Sequence, residues 1–130
     1  MHSELRAAYD AEMTIAKALY RERDYERCLA HLERAHILGQ RNYIPHVVNH
    51  YWMLKAGWQR RDMQEVLGQI VRIIGSAGSL VGAVPIGNTG RANVSAIKPM
   101  PIPADLARHF ERIRRDGVAP SPAENRAHGS

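Results

Sequence analysis

The chain lacks features that define several classes of protein. Its 130 residues include one cysteine, Cys28, so no disulfide can form within the chain. No apolar run reaches the roughly 18 residues of a membrane-spanning helix. The first residues contain no apolar signal core, and we therefore expect a cytoplasmic protein. With 45% apolar residues, a chain of this length can bury a core as one domain without cross-links.

Lysine is also scarce, and the net charge of +5 comes mostly from arginine. Acidic residues are interspersed among the arginines, which form only short groups such as Arg60 and Arg61. Nucleic-acid-binding proteins usually show a longer basic stripe with aromatic partners or a recognisable module. The pattern is more typical of a solvated charged surface, and we expect no nucleic acid as a partner.

Helical periodicity is the main pattern that the sequence does contain. Ser3, Asp24 and Asp62 are suitable N-caps, while Pro45 and Pro103 suit the first turn of a helix. We predict an all-α protein with helices over residues 3–23, 24–39, 44–60, 62–75 and 103–115. Together they form a single helical domain over residues 1–115, and the fifth helix caps it. The tail, residues 116–130, lacks periodicity and is expected to be disordered.

The third and fourth helices each carry an apolar stripe that we expect to face the core. On the third helix the stripe comprises Ile44, Val47, Val48, Tyr51, Leu54 and Trp58. On the fourth helix it comprises Met63, Val66, Ile70, Ile73 and Ile74.

The chain contains a degenerate internal repeat with an offset of 38 residues. RERDYERCLAHLERA, residues 21–35, aligns with QRRDMQEVLGQIVRI, residues 59–73. The first unit resembles a tetratricopeptide repeat over residues 9–40, although Glu12 replaces the usual aromatic and Arg23 a glycine. That resemblance implies two stacked antiparallel helical hairpins. Under the offset Glu12 corresponds to His50, so both units place an ionisable group at a packing position.

Histidines are concentrated where the second and third predicted helices meet. His36 belongs to the inward stripe of its helix, and His46 and His50 are one turn apart on the next helix. Glu33 precedes His36 by three residues, the spacing with which metal-binding bundles direct two side chains to one ion. We predict a site of His36, His46 and His50 with Glu12 or Glu33 as the carboxylate. Imidazole and carboxylate ligands suit zinc, iron or copper.

A glycine- and proline-rich segment, residues 77–102, separates the last two helices. We expect it to be ordered because apolar residues recur along it: Leu80, Val81, Val84, Ile86, Val94, Ile97 and Ile102. Its tight turn, Gly87, Asn88, Thr89 and Gly90, could present backbone amides to an anion, with Arg91 beside it. The turn lacks the lysine and the strand-to-helix context of a phosphate-binding loop.

Three blocks of sequence together resemble a known family. They are ERAHILGQ at residues 33–40, IGNTGRANVSA at residues 86–96 and PMPIP at residues 99–103. The chain is similar over most of residues 3–115 to a bacterial domain-of-unknown-function family, DUF3703. The resemblance implies a small bacterial helical protein and transfers no activity.

Three functions are consistent with these patterns. The first is metal binding by the histidine and glutamate group. The second is a helical-repeat scaffold that binds a protein or peptide and needs no cofactor. The third is a metal-independent enzyme or small-ligand binder that uses a histidine and a glutamate as acid and base beside the glycine turn. No nucleophile–base pair can be identified from the sequence, so catalytic residues are not assigned.

Overall fold

The computed structural model describes residues 1–75, 88–92 and 99–118, and these residues form helices and connecting segments without a strand. The all-α prediction is therefore confirmed. Within these ranges no helix is long and apolar enough to cross a membrane. The helices are α1 (Ser3–Arg21), α2 (Tyr25–Gly39), α3 (Tyr43–Gln59), α4 (Met63–Gly75) and α5 (Ala104–Val118).

The first four helices pack as two consecutive pairs. α1 packs along α2 and α3 packs along α4, while contacts between α2 and α3 join the pairs. The connections within each pair are only three residues long, and short connections make neighbouring helices antiparallel. The two predicted helical hairpins agree with this packing.

The turns of the two hairpins repeat the same backbone geometry. Arg23 and Arg61, which are 38 residues apart, have φ angles of 61° and 55° in the left-handed region. Each is followed by an aspartate, and the amides of Asp24 and Asp62 donate to Leu19 and Gly57 at 3.0 and 2.9 Å. Both aspartates then accept a hydrogen bond from the first turn of the following helix. The internal repeat is thus clearest at the turns.

The apolar core lies between α1 and α2 and extends to one face of α3. Two hydrogen bonds fix α3 on this core: the Tyr9 hydroxyl donates to the Pro45 carbonyl at 2.8 Å, and Asn49 Nδ2 donates to the Leu32 carbonyl at 2.8 Å. The largest buried apolar side chains include Tyr9, Met13, Leu19, Leu29, Leu32, Ile37, Leu38 and Met53.

The predicted inward faces of α3 and α4 are wrong except at Val66, which is buried as predicted. Ile44 and Trp58 on α3 are 67% and 62% exposed, and Ile70 and Ile74 on α4 are 41% and 77% exposed. α3 instead buries Pro45, Asn49, His50, Met53, Ala56 and Gly57. α4 buries Glu65, Val66 and Gln69. The buried polar side chains of these helices, His50, Glu65 and Gln69, lie inward because they bind one another and residues 88–92.

α5 packs against the first hairpin. His109 Nδ1 contacts Glu4 at 3.0 Å, Arg34 forms an ion pair with Asp105, and Leu106 is buried. α5 continues three residues beyond its predicted end at residue 115. The rest of the predicted tail, and Leu80, Val81, Val84, Ile86, Gly87, Val94 and Ile97 of the predicted loop, lie outside the described residues. Ile102 packs against the core.

Candidate metal centre

Three histidines converge at the junction of α2 and α3. Because only residues 40–42 separate these helices, the last turn of α2 lies beside the first two turns of α3. His36, His46 and His50 each offer a ring nitrogen within 4.8 Å of the others. The Nε2 atoms of His36 and His50 are 3.2 Å apart, and those of His46 and His50 are 2.8 Å apart. The structure therefore brings together all three predicted histidines.

The opposite ring nitrogens of two histidines are held by acceptors. His36 Nδ1 lies 2.6 Å from the carbonyl oxygen of Asn88, which can only accept a hydrogen bond. His50 Nδ1 lies 2.6 Å from Gln69 Oε1. The Gln69 amide is oriented by its Nε2, which donates to Glu65 Oε1 at 2.7 Å and to the Gly90 carbonyl at 2.8 Å. Both Nδ1 atoms must therefore carry the proton.

This protonation leaves His36 and His50 with bare Nε2 atoms facing each other. A neutral imidazole with hydrogen on Nδ1 has only a lone pair on Nε2. Burial holds the pKa of His36 well below its usual value and lowers that of His50 to about 3 and that of His46 to about 4. For His36 and His50 the neighbouring histidines lower the pKa further. The rings are thus neutral at physiological pH, and the Nε2 atoms of His36 and His50 carry lone pairs rather than hydrogens.

A second set of contacts supports the histidines from α4. Glu65, with a side chain only 3% exposed, accepts from Gln69 and forms an ion pair with Arg91 Nε at 3.0 Å. The backbone amide of Ala92 donates to its other oxygen at 3.3 Å. Metal-ligating histidines commonly donate their second ring N–H to such a fixed carbonyl or amide oxygen. Asn88 and Gln69 have this relation to His36 and His50.

The two predicted carboxylate ligands are placed elsewhere. Glu12 contacts His31 at 2.7 Å and Arg34 at 2.8 Å. Glu33 contacts Arg91 at 2.8 Å. Among the described residues, the group within 4.8 Å contains histidines alone. The structure therefore does not place either predicted carboxylate beside the histidines, because Glu12 and Glu33 contact neighbouring cationic side chains instead.

Sequence reasoning missed Glu65, Gln69 and the carbonyl of Asn88. Glu65 and Gln69 are four residues apart and so share one face of α4, opposite an apolar stripe that seemed the better inward face. The position of Asn88 depends on how a distant segment returns to the helices, and no local pattern encodes that return.

The described residues of the predicted anion-binding turn, together with Arg91 and Ala92, make contacts within the protein. The amide of Gly90 donates to Asn88 Oδ1 at 2.9 Å, and the amide of Ala92 binds Glu65. Arg91 is held by two carboxylates of the protein. Thr89 is half-buried between these residues. The turn directs carbonyl oxygens at the histidine centre and keeps these two amides for internal contacts.

Cys28, the only cysteine, does not belong to this centre. It is fully buried in the core of the first hairpin. Burial raises the pKa of its thiol to about 11, with a smaller contribution from Asp24. The thiol is therefore protonated and shielded, which disfavours both metal ligation and nucleophilic attack.

The chain belongs to the family described as a protein of unknown function, DUF3703, whose model matches residues 3–110. That range includes the three histidines and their supporting residues. No characterised protein and no solved structure gives a significant match. The role of the centre must therefore be inferred from its own chemistry.

Proposed function

We propose that the protein binds one transition-metal ion through the Nε2 atoms of His36, His46 and His50. The observation that carries the proposal is the pair of Nε2 lone pairs 3.2 Å apart, with both Nδ1 hydrogens committed to carbonyl or amide oxygens. His50 Nε2 can accept a hydrogen bond from His46 Nε2 at 2.8 Å, but the lone pairs of His36 and His50 repel each other. A cation bound by all three nitrogens would turn that repulsion into ligation.

The ligand set favours zinc or copper over iron. Three neutral imidazoles suit zinc and copper, and mononuclear non-haem iron sites usually add a carboxylate. Here the two predicted carboxylates, Glu12 and Glu33, are ion-paired with arginines. Zinc is the first candidate because it accepts three histidines and completes its tetrahedron with one further ligand.

The geometry supports binding more directly than catalysis. His36 and His50 are 3% and 2% exposed, so access for a substrate is narrow. Glu65, the carboxylate of the supporting network, is held by Arg91 and Gln69 and is poorly placed to act as a base. We therefore propose a metal-binding role and assign no reaction.

Metal analysis of protein purified without a histidine tag tests this proposal. We expect one equivalent of zinc per chain after loading and a higher melting temperature for the loaded protein, since a ligand of the folded state stabilises it. The double variant His46→Ala/His50→Ala should lose both effects. His46→Gln keeps most of the side-chain volume at a half-buried position and should weaken zinc binding without unfolding the chain.

His109→Gln provides the control. His109 lies on α5 and contacts Glu4, so its replacement should leave the zinc stoichiometry unchanged. A wild-type protein that takes up no zinc or copper, and whose melting temperature ignores both ions, would contradict the proposal.

Exposed apolar side chains support a second candidate function, association with another protein. On α3 they are Ile44, Val48, Tyr51 and Trp58, and on α4 they are Met63, Leu67, Ile70, Val71 and Ile74. Their spacing places each set on one face of its helix, and apolar surface of this kind is typical of interaction sites.

A second copy of the chain is the first partner to test. Sedimentation velocity should show concentration-dependent association that Trp58→Arg or Val71→Glu abolishes. A wild-type protein that stays monomeric over the same concentrations would remove self-association from consideration.

A further inference from the structure

Residues 88–92, here called the strap, tie the histidine centre to two helices. The Asn88 carbonyl binds His36 on α2, and the Gly90 carbonyl accepts from Gln69 on α4. The amide of Ala92 donates to Glu65. The strap therefore contacts ligand residues and supporting residues at the same time.

The middle of the strap lies directly on the His36 ring. Gly90 has a φ of 79°, and a Cβ atom at this position would lie 2.6 to 2.9 Å from three atoms of the imidazole. Any side chain larger than hydrogen would thus collide with the ring and adopt a strained backbone. Asn88 and Gly90 are both buried, so the strap shields this side of the centre.

Arg91 fastens the strap through charge. Its Nη1 lies 2.8 Å from Glu33 on α2, and its Nε lies 3.0 Å from Glu65 on α4. One side chain, only 17% exposed, thereby bridges the two helices that carry His36 and Gln69. Guanidinium suits this task because it is always charged and its separate nitrogens can approach two carboxylates at once.

We propose that Arg91 and the strap retain the bound metal, with Arg91 as a positioning residue that sets the rate of metal release. This proposal rests on the proposed metal site. His36 cannot rotate away from an ion while Asn88 holds its Nδ1 and Gly90 covers its ring. Release therefore requires the strap to detach, and detachment requires the contacts of Arg91 with both glutamates to break.

The test is the transfer of zinc from the loaded full-length protein to an excess of a chromophoric chelator, followed by stopped-flow absorbance. Arg91→Gln removes the charge that bridges the two glutamates and should accelerate release at least tenfold. Arg91→Lys keeps the charge but not the planar donors, and its rate of zinc release should lie between those of the wild type and Arg91→Gln. Arg6→Gln, which removes an exposed ion pair with Asp10 on α1, is the matched control and should release zinc at the wild-type rate.

Cobalt-substituted protein shows whether a substitution at Arg91 changes the ligand set itself. Because Arg91 is not a ligand, the visible spectrum of bound cobalt should be the same in the wild type and in Arg91→Gln while the release rates differ. Gly90→Ala gives an independent variant that keeps Arg91, and it should also accelerate release because its methyl group would displace the strap from His36.

The outcomes separate the two proposals. A wild-type protein that binds neither zinc nor cobalt overturns both. In a second outcome, the wild-type protein binds zinc, and Arg91→Gln and Gly90→Ala release it within twofold of the wild-type rate. That result overturns retention by the strap but does not contradict the metal site.

Discussion

The two hairpins have the same turns but bury different kinds of side chain. In the first, Leu29 and Leu32 are 1% and 0% exposed, whereas Leu67 and Ile70 at the equivalent positions of the second are 59% and 41% exposed. Glu12 in the first hairpin binds His31 and Arg34, and its counterpart His50 joins two other histidines. A shared helical framework can thus enclose an apolar core in one half and a polar centre in the other.

This difference has an energetic requirement. Buried polar groups destabilise a fold unless hydrogen bonds or ion pairs satisfy them. Glu65 and Gln69 of the second hairpin and the strap satisfy one another, and Gln69 and the strap orient His50 and His36. The arrangement exchanges apolar burial for three closely spaced ring nitrogens, an exchange that favours a functional role for this half.

Alanine substitution at equivalent positions should give the largest difference in the free energy of unfolding between the two hairpins. Leu32→Ala should cost about 2 to 5 kcal/mol because it leaves a cavity in a fully buried site. Ile70→Ala should cost less than about 1 kcal/mol, since Ile70 is 41% exposed. Urea unfolding of both variants measures the difference. Equal losses at the two positions would mean that the second hairpin also depends on a core at Ile70.

Acidification should act on the second hairpin. The pKa of His46 is lowered to about 4 and that of His50 to about 3 by burial, so below about pH 6.5 the unfolded chain binds protons that the folded chain does not. The stability of the metal-free protein should therefore fall between pH 6.5 and pH 4.5, by roughly 2 kcal/mol for each of the two histidines.

Urea midpoints across this pH range, measured with a chelator present, check this prediction. Carboxylates titrate in the same range, so the relevant quantity is the difference between the wild type and His46→Gln/His50→Gln. The double variant should show a flatter profile. Parallel profiles for the two proteins would refute the pH prediction.

The smallest effect should come from the turns, where the hairpins agree. Arg23→Gly and Arg61→Gly should each stabilise the protein by up to about 1 kcal/mol, because glycine adopts the left-handed conformation without strain. The gain is limited because glycine loses more backbone entropy on folding than arginine does. Arg21→Gly, inside the last turn of α1, should instead destabilise by about 0.5 to 1 kcal/mol. Thermal unfolding at neutral pH would show whether the two turn variants respond alike.

The helices could be predicted because their determinants are local. Periodic apolar residues, the capping aspartates Asp24 and Asp62, and prolines near helix starts define helices within a few residues of the observed bounds. The three histidines could also be brought together from sequence, since a short connection places the end of α2 beside the start of α3. His46 and His50 share a face by helical spacing alone.

The tertiary structure decided which face of each later helix turned inward and which groups surround the histidines. Periodicity identifies an apolar face but cannot establish that Glu65 and Gln69 on the opposite face have buried partners. The roles of Glu12 and Glu33 depended on arginines that are 22 and 58 residues away. Asn88 and Arg91 reach the centre because the chain returns to the helices after α4. The contact with Asn88 places the hydrogen of the His36 ring on Nδ1 and leaves Nε2 facing His50, and only the packed structure could show this.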